Sequence, residues 1–503
     1  MQSKSNPTAT HDARLREVRD RLHAWAKESG ALEHLEQRPR PDTRPPKDDG
    51  GDNKGHDGPP NLVDYRLVHR MTFGYSEEEG ELYRRLGPSG YLEYHLNHEA
   101  IPDDYVAYRL AEFSTLQRSG AALGQSDWWE CVHETVQAHV VRSIYSKRQL
   151  YERMVEFWAD HFNVYAPKLG KLNTLYQRDV IRRHALGSFP TLLNAVARSS
   201  GMLEYLDNAS NITGYPNENY ARELLELHTL GVDGGYPEDD VLDVARCFTG
   251  WLYDWDESSA TYGQFRFDPQ YHDNARKYFL GIEIPSNGGI RDGERILEIL
   301  AGHQRTARFV SRKMLRHFLT EDPPQALVDR VAAVYTATNG DIKSMLRAIL
   351  DQKTVRRYAT PKYKRPYHFM VSAVRATRAQ VPYVFSLWWY YMEKSGQTPF
   401  FWPAPNGYPD AYRNWVGNLQ PRWMLVQDLV QSWVWQVTVD TFGLLRSRHP
   451  QTVVRRIGEV LVGGPMPEPE RTLLLSYLGS NPTPDTVREA LGLAMAGPTF
   501  QWY

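Results

Sequence analysis

Cysteine is nearly absent from this sequence. Of 503 residues only Cys131 and Cys247 carry a thiol. Two isolated cysteines build no disulfide framework and no Cys-x-x-Cys zinc or redox pair. No run of about 18 apolar residues occurs, so nothing is read as a membrane span. An excess of basic charge is also missing: the net charge is −2, which argues against a nucleic-acid binder, whose domains are usually basic. The first twelve residues are polar, without the apolar stretch of a signal peptide, and predict a cytoplasmic protein. There is no tandem repeat. There is no Gly-x-Ser-x-Gly elbow, no P-loop and no Gly-x-Gly-x-x-Gly after a strand, which sets aside the commonest nucleophile and nucleotide motifs.

What the chain has in quantity is aromatic residues, 14 Trp and 30 Tyr. They fill cores and also line ligand sites. Apolar residues recur at helical spacing along most of the sequence. Residues 13–35 carry Leu15, Val18, Leu22, Trp25 and Leu32 on one face, so residues 1–35 are read as an amphipathic N-terminal helix that could dock on the body or on a protein partner. Residues 36–61 are rich in Pro, Gly and charge and are read as a flexible linker. Residues 62–503 are expected to form a single helical domain. Among its helices are 126–157, 189–205, 217–230, 304–320, 363–379 and 420–440. Residues 251–290 and 380–419 lack helical periodicity and are read as long ordered loops with short strands. The expected fold is mainly α, a large multi-helix, bundle-like body with long aromatic, Pro- and Gly-rich loops and a few short strands.

The densest polar signal lies in the helix expected over 217–230. Positions three and four apart share a helix face, so Asn219, Arg222, Glu223 and Glu226 form one stripe. Tyr220, Leu224, Leu225 and Leu227 cover much of the remainder, which predicts that the stripe is enclosed. Enclosed carboxylates are costly unless paired and often carry shifted pKa values; a solvated face or a structural Arg–Glu pair is the plainer reading. In Glu156-Phe157-Trp158-Ala159-Asp160-His161-Phe162, Glu156 and Asp160 share one face, Trp158 and His161 another. His161 suits a base or a ligand, or simply lines the core. The segment His272-Asp273-x-x-x-Lys277 sits in a loop region, where such pairs are commonly turn devices. Phe401-Trp402-Pro403-Ala404-Pro405-Asn406-Gly407-Tyr408-Pro409 is a rigid, aromatic loop that walls a pocket or packs on helices. Arg308, Arg312 and Arg316 make a basic stripe, read as a solvated face.

These pieces together resemble a bacterial family known as domain of unknown function 1800. The resemblance rests on Arg70-Met-Thr-Phe-Gly, Phe157-Trp-x-x-His161-Phe, Tyr205-Leu-Asp-Asn208, the whole segment Asn217 to Gly231, Ala245-Arg-x-Phe-Thr-Gly-Trp251, His272-Asp-x-x-x-Lys277, Thr306-Ala-Arg-Phe-Val, Lys364-Arg-Pro366, Pro405-Asn-Gly-Tyr-Pro409 and Phe500-Gln501. It covers roughly residues 62–503 in order and implies a largely helical body. It also implies export and a sulfatase-like neighbour, since family members are often exported. This sequence departs from the pattern in lacking an export signal, in Ala275 where glycine is frequent, and in Tyr408-Pro-Asp410 where Trp-Pro-Gly is usual.

Three functions follow as expectations. The first is a hydrolase of glycosidic bonds built on paired carboxylates. Its catalytic candidates are Glu223 or Glu226 opposed by Asp160, Asp207 or Glu156, with His161 nearby. Asn219 and Arg222 would order the charged member. Trp158, His272, Asp273 and Lys277 would contact a small-molecule or carbohydrate substrate, as would Trp402, Asn406 and Trp415. The second is an enzyme with a divalent metal as cofactor, bound by His161, Glu223, Glu226 and His272. The third is a binding or assembly module without catalysis.

Overall fold

The computed structural model describes residues 64–503. The helix expected within residues 1–35 and the linker at 36–61 lie outside the described residues. Helices dominate what is described, and the β structure there amounts to two two-stranded sheets. Both are antiparallel hairpins inside the 251–290 region: Trp251–Tyr253 pairs with Phe265–Phe267, and Lys277–Phe279 with Ile282–Ile284.

The helices start where the sequence supplies caps. Ser76 Oγ accepts from Glu79 N, Asp127 from Glu130 N and Asp341 from Ser344 N, each satisfying a first-turn donor. Helix Glu77–Leu96 is broken at Gly87, with φ 67°, ahead of Pro88. The long helix expected over 420–440 stops at Val430. Beyond it Ser432 and Gln436 take positive φ, and Thr438 pairs instead with Gln380. Apolar spacing alone did not register that turn.

Helix Gln149–His161 is central. All but two of its thirteen residues are buried, including Glu152, Arg153 and Glu156. A helix buried nearly all round must pair every charge it carries. Glu152 does so with Arg182 through two bonds of 2.7 and 2.8 Å. Trp158 is fully buried, and its Nε1 donates to the Ala185 carbonyl at 3.0 Å. Packed among Phe157, Phe162 and Phe189, it exposes no surface to a substrate.

A smaller aromatic cluster lies apart from the main core. Tyr363, Tyr408 and Trp415 form it, flanked by Trp402, Tyr412 and Trp502. It organises the 398–418 loop. Trp415 Nε1 donates to Pro409 O at 2.8 Å, Tyr408 OH to Thr398 O at 2.7 Å, and Trp402 Nε1 to Asn406 Oδ1 at 2.8 Å. The three loop residues predicted to touch substrate therefore brace the loop, with Trp415 buried, Trp402 half-buried and Asn406 exposed.

Candidate functional site

The site builds from the last turns of helix Gln149–His161. Glu156 and Asp160, one turn apart, point the same way, as their spacing requires. Arg365 fits between them. Its Nη2 donates to Glu156 Oε1 and its Nη1 to Asp160 Oδ2, each at 2.6 Å. The same Nη1 lies 3.9 Å from Asp410 Oδ1. Arg153 Nη1 takes the other oxygen of Glu156 at 2.7 Å. Arg365 is positioned by Pro366, which opens helix Pro366–Ala376 and restricts the residue before it to extended backbone.

Asp410 arrives on the aromatic loop, and Gly407 sets how closely that loop approaches. Gly407 has φ +71°, and a Cβ there would stand 2.1 Å from the Asp160 carbonyl oxygen. Asn163 ties the same loop down by donating from Nδ2 to Trp402 O at 3.0 Å and Ala404 O at 2.8 Å. Gly407→Ala is expected to destabilise the protein by at least ~2 kcal/mol, combining a left-handed backbone with overpacking. Chemical denaturation measures it; an unchanged midpoint would show that the loop need not sit against Asp160.

Electrostatics single out two groups. Burial pushes the Asp160 carboxyl up to about 6. Arg365 pulls the other way, but Glu156 and Asp410 share that guanidinium and repel Asp160. Lys313, on helix Gln304–Phe318, is pushed by burial down to about 8, with Asp410 and Asp160 partly restoring it. Among the described residues its ammonium makes no hydrogen bond or ion pair; it lies 5.6 Å from the Phe309 ring centroid. Sequence reading missed Lys313 because it follows Arg312 in a run of surface cations, and its burial depends on elements that pack over it.

The helix expected over 217–230 changes register midway. Asn219–Glu223 is α-helical and Leu224–Thr229 is π-helical. Thr229 Oγ1 bonds Leu224 O at 2.7 Å, and Leu230 N bonds Leu225 O at 2.9 Å. The extra residue in the turn rotates His228 into the core and leaves Leu227 half-buried. His161 Nε2 lies 3.1 Å from the His228 carbonyl oxygen. His161 Nδ1 and both ring nitrogens of His228 are buried without a hydrogen-bond partner. Burial and the Lys313 charge hold both rings below the ordinary range, His228 at about 3, which favours the neutral form of both.

The polar stripe is not enclosed. Arg222 is about one-third exposed and joins Glu218 at 3.0 Å, Glu226 at 3.8 Å and also Glu238. Such surface networks contribute little. Asn219 is exposed and donates to Asp207 Oδ2 at 3.3 Å, while Lys168 Nζ holds Asp207 Oδ1 at 2.8 Å. Glu223 differs from these neighbours. Among the described residues it has no hydrogen bond or ion pair, and burial, then Glu226, holds its carboxyl above the ordinary range.

His272, Asp273 and Lys277 belong to a different place. His272 Nδ1 lies 2.8 Å from Thr249 O and its Nε2 3.1 Å from Asp292 Oδ2. Lys277 Nζ donates to Asp292 Oδ2 at 2.7 Å, fully buried. Asp273 pairs with Arg246 at 2.7 Å. The segment clamps the second hairpin onto helices Glu238–Cys247 and Ile290–Gly302. His272 thus stands apart from His161 and Glu223, and the expected mixed metal shell is not assembled. Among the described residues no three His, Cys, Asp or Glu side chains are grouped as a metal ion would require. The basic stripe is engaged as well: Arg308 pairs with Asp329 at 2.8 Å, Arg312 bonds Gln325, and Arg316 Nε donates to Glu321 O at 3.0 Å.

The fold and this centre define a mainly helical protein with several buried charges gathered at the end of one core helix. The chain belongs to the family described as Protein of unknown function (DUF1800), whose model matches residues 66–502. Nothing matches the chain among curated proteins or among solved structures. No helix of the described residues is long and apolar enough to cross a membrane.

Proposed function

We propose that this protein hydrolyses glycosidic bonds, with Asp160 as the proton donor and Asp410 as its carboxylate partner. The observation that carries the reading is that both carboxylates meet one nitrogen, Arg365 Nη1, at 2.6 and 3.9 Å. Those two oxygens cannot lie further apart than the sum of the two distances, which favours the close spacing of about 5–5.5 Å found in retaining glycosidases over the ~6.5–9.5 Å of inverting ones. Asp160, at about 6, is poised to donate to the leaving oxygen near neutral pH. Asp410 attacks the sugar carbon to give a glycosyl-enzyme. Water then releases the sugar, giving its proton back to Asp160. Lys313 supplies a positive charge beside the pair. Glu223 stands outside the pair as a carboxyl free to meet a substrate hydroxyl.

The test is turnover of a polysaccharide panel by the parent, Asp160→Asn and Asp410→Asn. Asp160 acts protonated, so kcat/KM is expected to fall as pH rises through about 6. Asp160→Asn is expected to lose ~10²–10⁴-fold in rate together with that limb of the profile. Full activity in Asp160→Asn, or no turnover by the parent across the panel, would remove the reading.

A further inference from the structure

A second feature lies at the other end of the Gln149–His161 helix, by its first turn, and is independent of the hydrolase reading. A cavity of about 330 Å³ opens between helix Asp104–Leu110, the last turns of helix Trp128–Tyr145 and the first turn of helix Gln149–His161. One wall carries Arg142, Arg148 and Arg182; the other carries Val106, Ala107 and Leu110. The volume suits a small organic molecule.

The three arginines are not equivalent. Arg182 is committed to Glu152 through both nitrogens, and Arg148 Nε donates to Ile101 O at 3.0 Å. Arg142 makes no hydrogen bond, ion pair or ring contact through its guanidinium among the described residues. The acids within reach are occupied or at the rim. Both oxygens of Glu152 are taken by Arg182. Asp103 accepts from Ser146 Oγ at 2.7 Å and from Lys147 N at 3.0 Å, and Asp104 is exposed. Burial, then the neighbouring Arg182, pushes Arg142 down to about 9. On its inner side Arg142 also walls a second cavity of about 40 Å³ that reaches His139 and Phe400. Arg142 is half-buried, and its unpartnered guanidinium lines the cavity, where an anion can pair with it.

We propose that this cavity is a binding site for a small organic anion, whose carboxylate or phosphate pairs with Arg142 and whose apolar body lies against Val106, Ala107 and Leu110. The bidentate fork of arginine suits both head groups. The apolar wall distinguishes an organic anion from a bare inorganic one.

Calorimetric titration of the full chain with inorganic phosphate, phenyl phosphate and benzoate at constant ionic strength tests this. At least one aromatic anion is expected to bind tenfold or more tightly than inorganic phosphate, and which one wins distinguishes phosphate from carboxylate. Arg142→Met is expected to lose at least tenfold in that affinity while unfolding at the same or a higher denaturant midpoint, because it removes an unpaired charge. Ala107→Trp, which fills the cavity from its exposed helix, is expected to abolish binding with the midpoint unchanged. No binding by any of the three anions, equal binding by Arg142→Met and the parent, or a lower midpoint for Arg142→Met would each overturn the proposal.

Discussion

Replacing Arg365 with Met is expected to destabilise the protein by ~3–5 kcal/mol, the range found when one partner of a buried ion pair is removed. Arg365 is the shared cation of Glu156 and Asp160 at 2.6 Å each, and its side chain is 9% exposed. Without it Asp160 Oδ2 and Glu156 Oε1 lose their charged donor, and Arg153 alone remains on Glu156. The loss is one of leaving charge uncompensated rather than of a favourable pair, since a whole buried pair roughly breaks even against an apolar substitute. Adding Asp160→Asn to Arg365→Met is therefore expected to recover part of the stability. Denaturant unfolding of the two variants decides: full additivity of the two losses would show that Arg365 is not what keeps Asp160 in place.

The second large effect lies at the hairpin clamp. Asp292→Ala is expected to cost ~3–5 kcal/mol, because Lys277 is fully buried and Asp292 is its carboxylate partner, at 2.7 Å. His272 loses its Nε2 partner in the same variant. Burial raises the Asp292 carboxyl, but the bonds from His272 and Lys277 outweigh it and hold the group below its ordinary value of 3.8. A carboxyl depressed in the folded state binds fewer protons there than in the unfolded chain near that value. Its stabilisation is complete above 3.8 and is lost as pH falls through the lower folded value. The parent is thus expected to lose stability on acidification below about pH 4, and Asp292→Ala to show a shallower loss over the same interval. Parallel curves from denaturation at several pH values would place the acid sensitivity elsewhere. An intact midpoint in Asp292→Ala would contradict the clamp itself.

The clamp and the carboxylate centre show how far a motif can be read. His272, Asp273 and Lys277 were visible as a group because they are neighbours in sequence. Their commitment to Asp292, Thr249 and Arg246 was not visible, because those partners lie on separate helices and loops. The Asn219–Glu226 stripe was read with the right spacing and the wrong surroundings. Tyr220, Leu224 and Leu225 do bury as expected, but Arg222 stays about one-third exposed. Its partner Glu238 comes from the following helix, leaving the pair at the surface. Asn208 and Asn211, which fit the Asn-x-Ser/Thr pattern, are buried and donate to the backbone carbonyls of Phe248, Trp251 and Ala245.

What the sequence determined by itself was local. Apolar residues recurring every three to four positions specify helices with a buried side, since burial of one face is what stabilises them. The same periodicity placed Glu156 and Asp160 on a common face, and the prolines at 403, 405 and 409 marked a rigid loop. Tertiary structure decided the rest. Arg365 comes from 205 residues further along the chain to meet Asp160, and Lys313 and Asp410 arrive on other segments. The π turn at Leu224–Thr229 rotated His228 inward, where an ideal period of 3.6 would have kept Leu227. Desolvation, the largest cause of the shifts at Asp160 and Lys313, depends on what covers a group in three dimensions, and no spacing along a single chain encodes that cover.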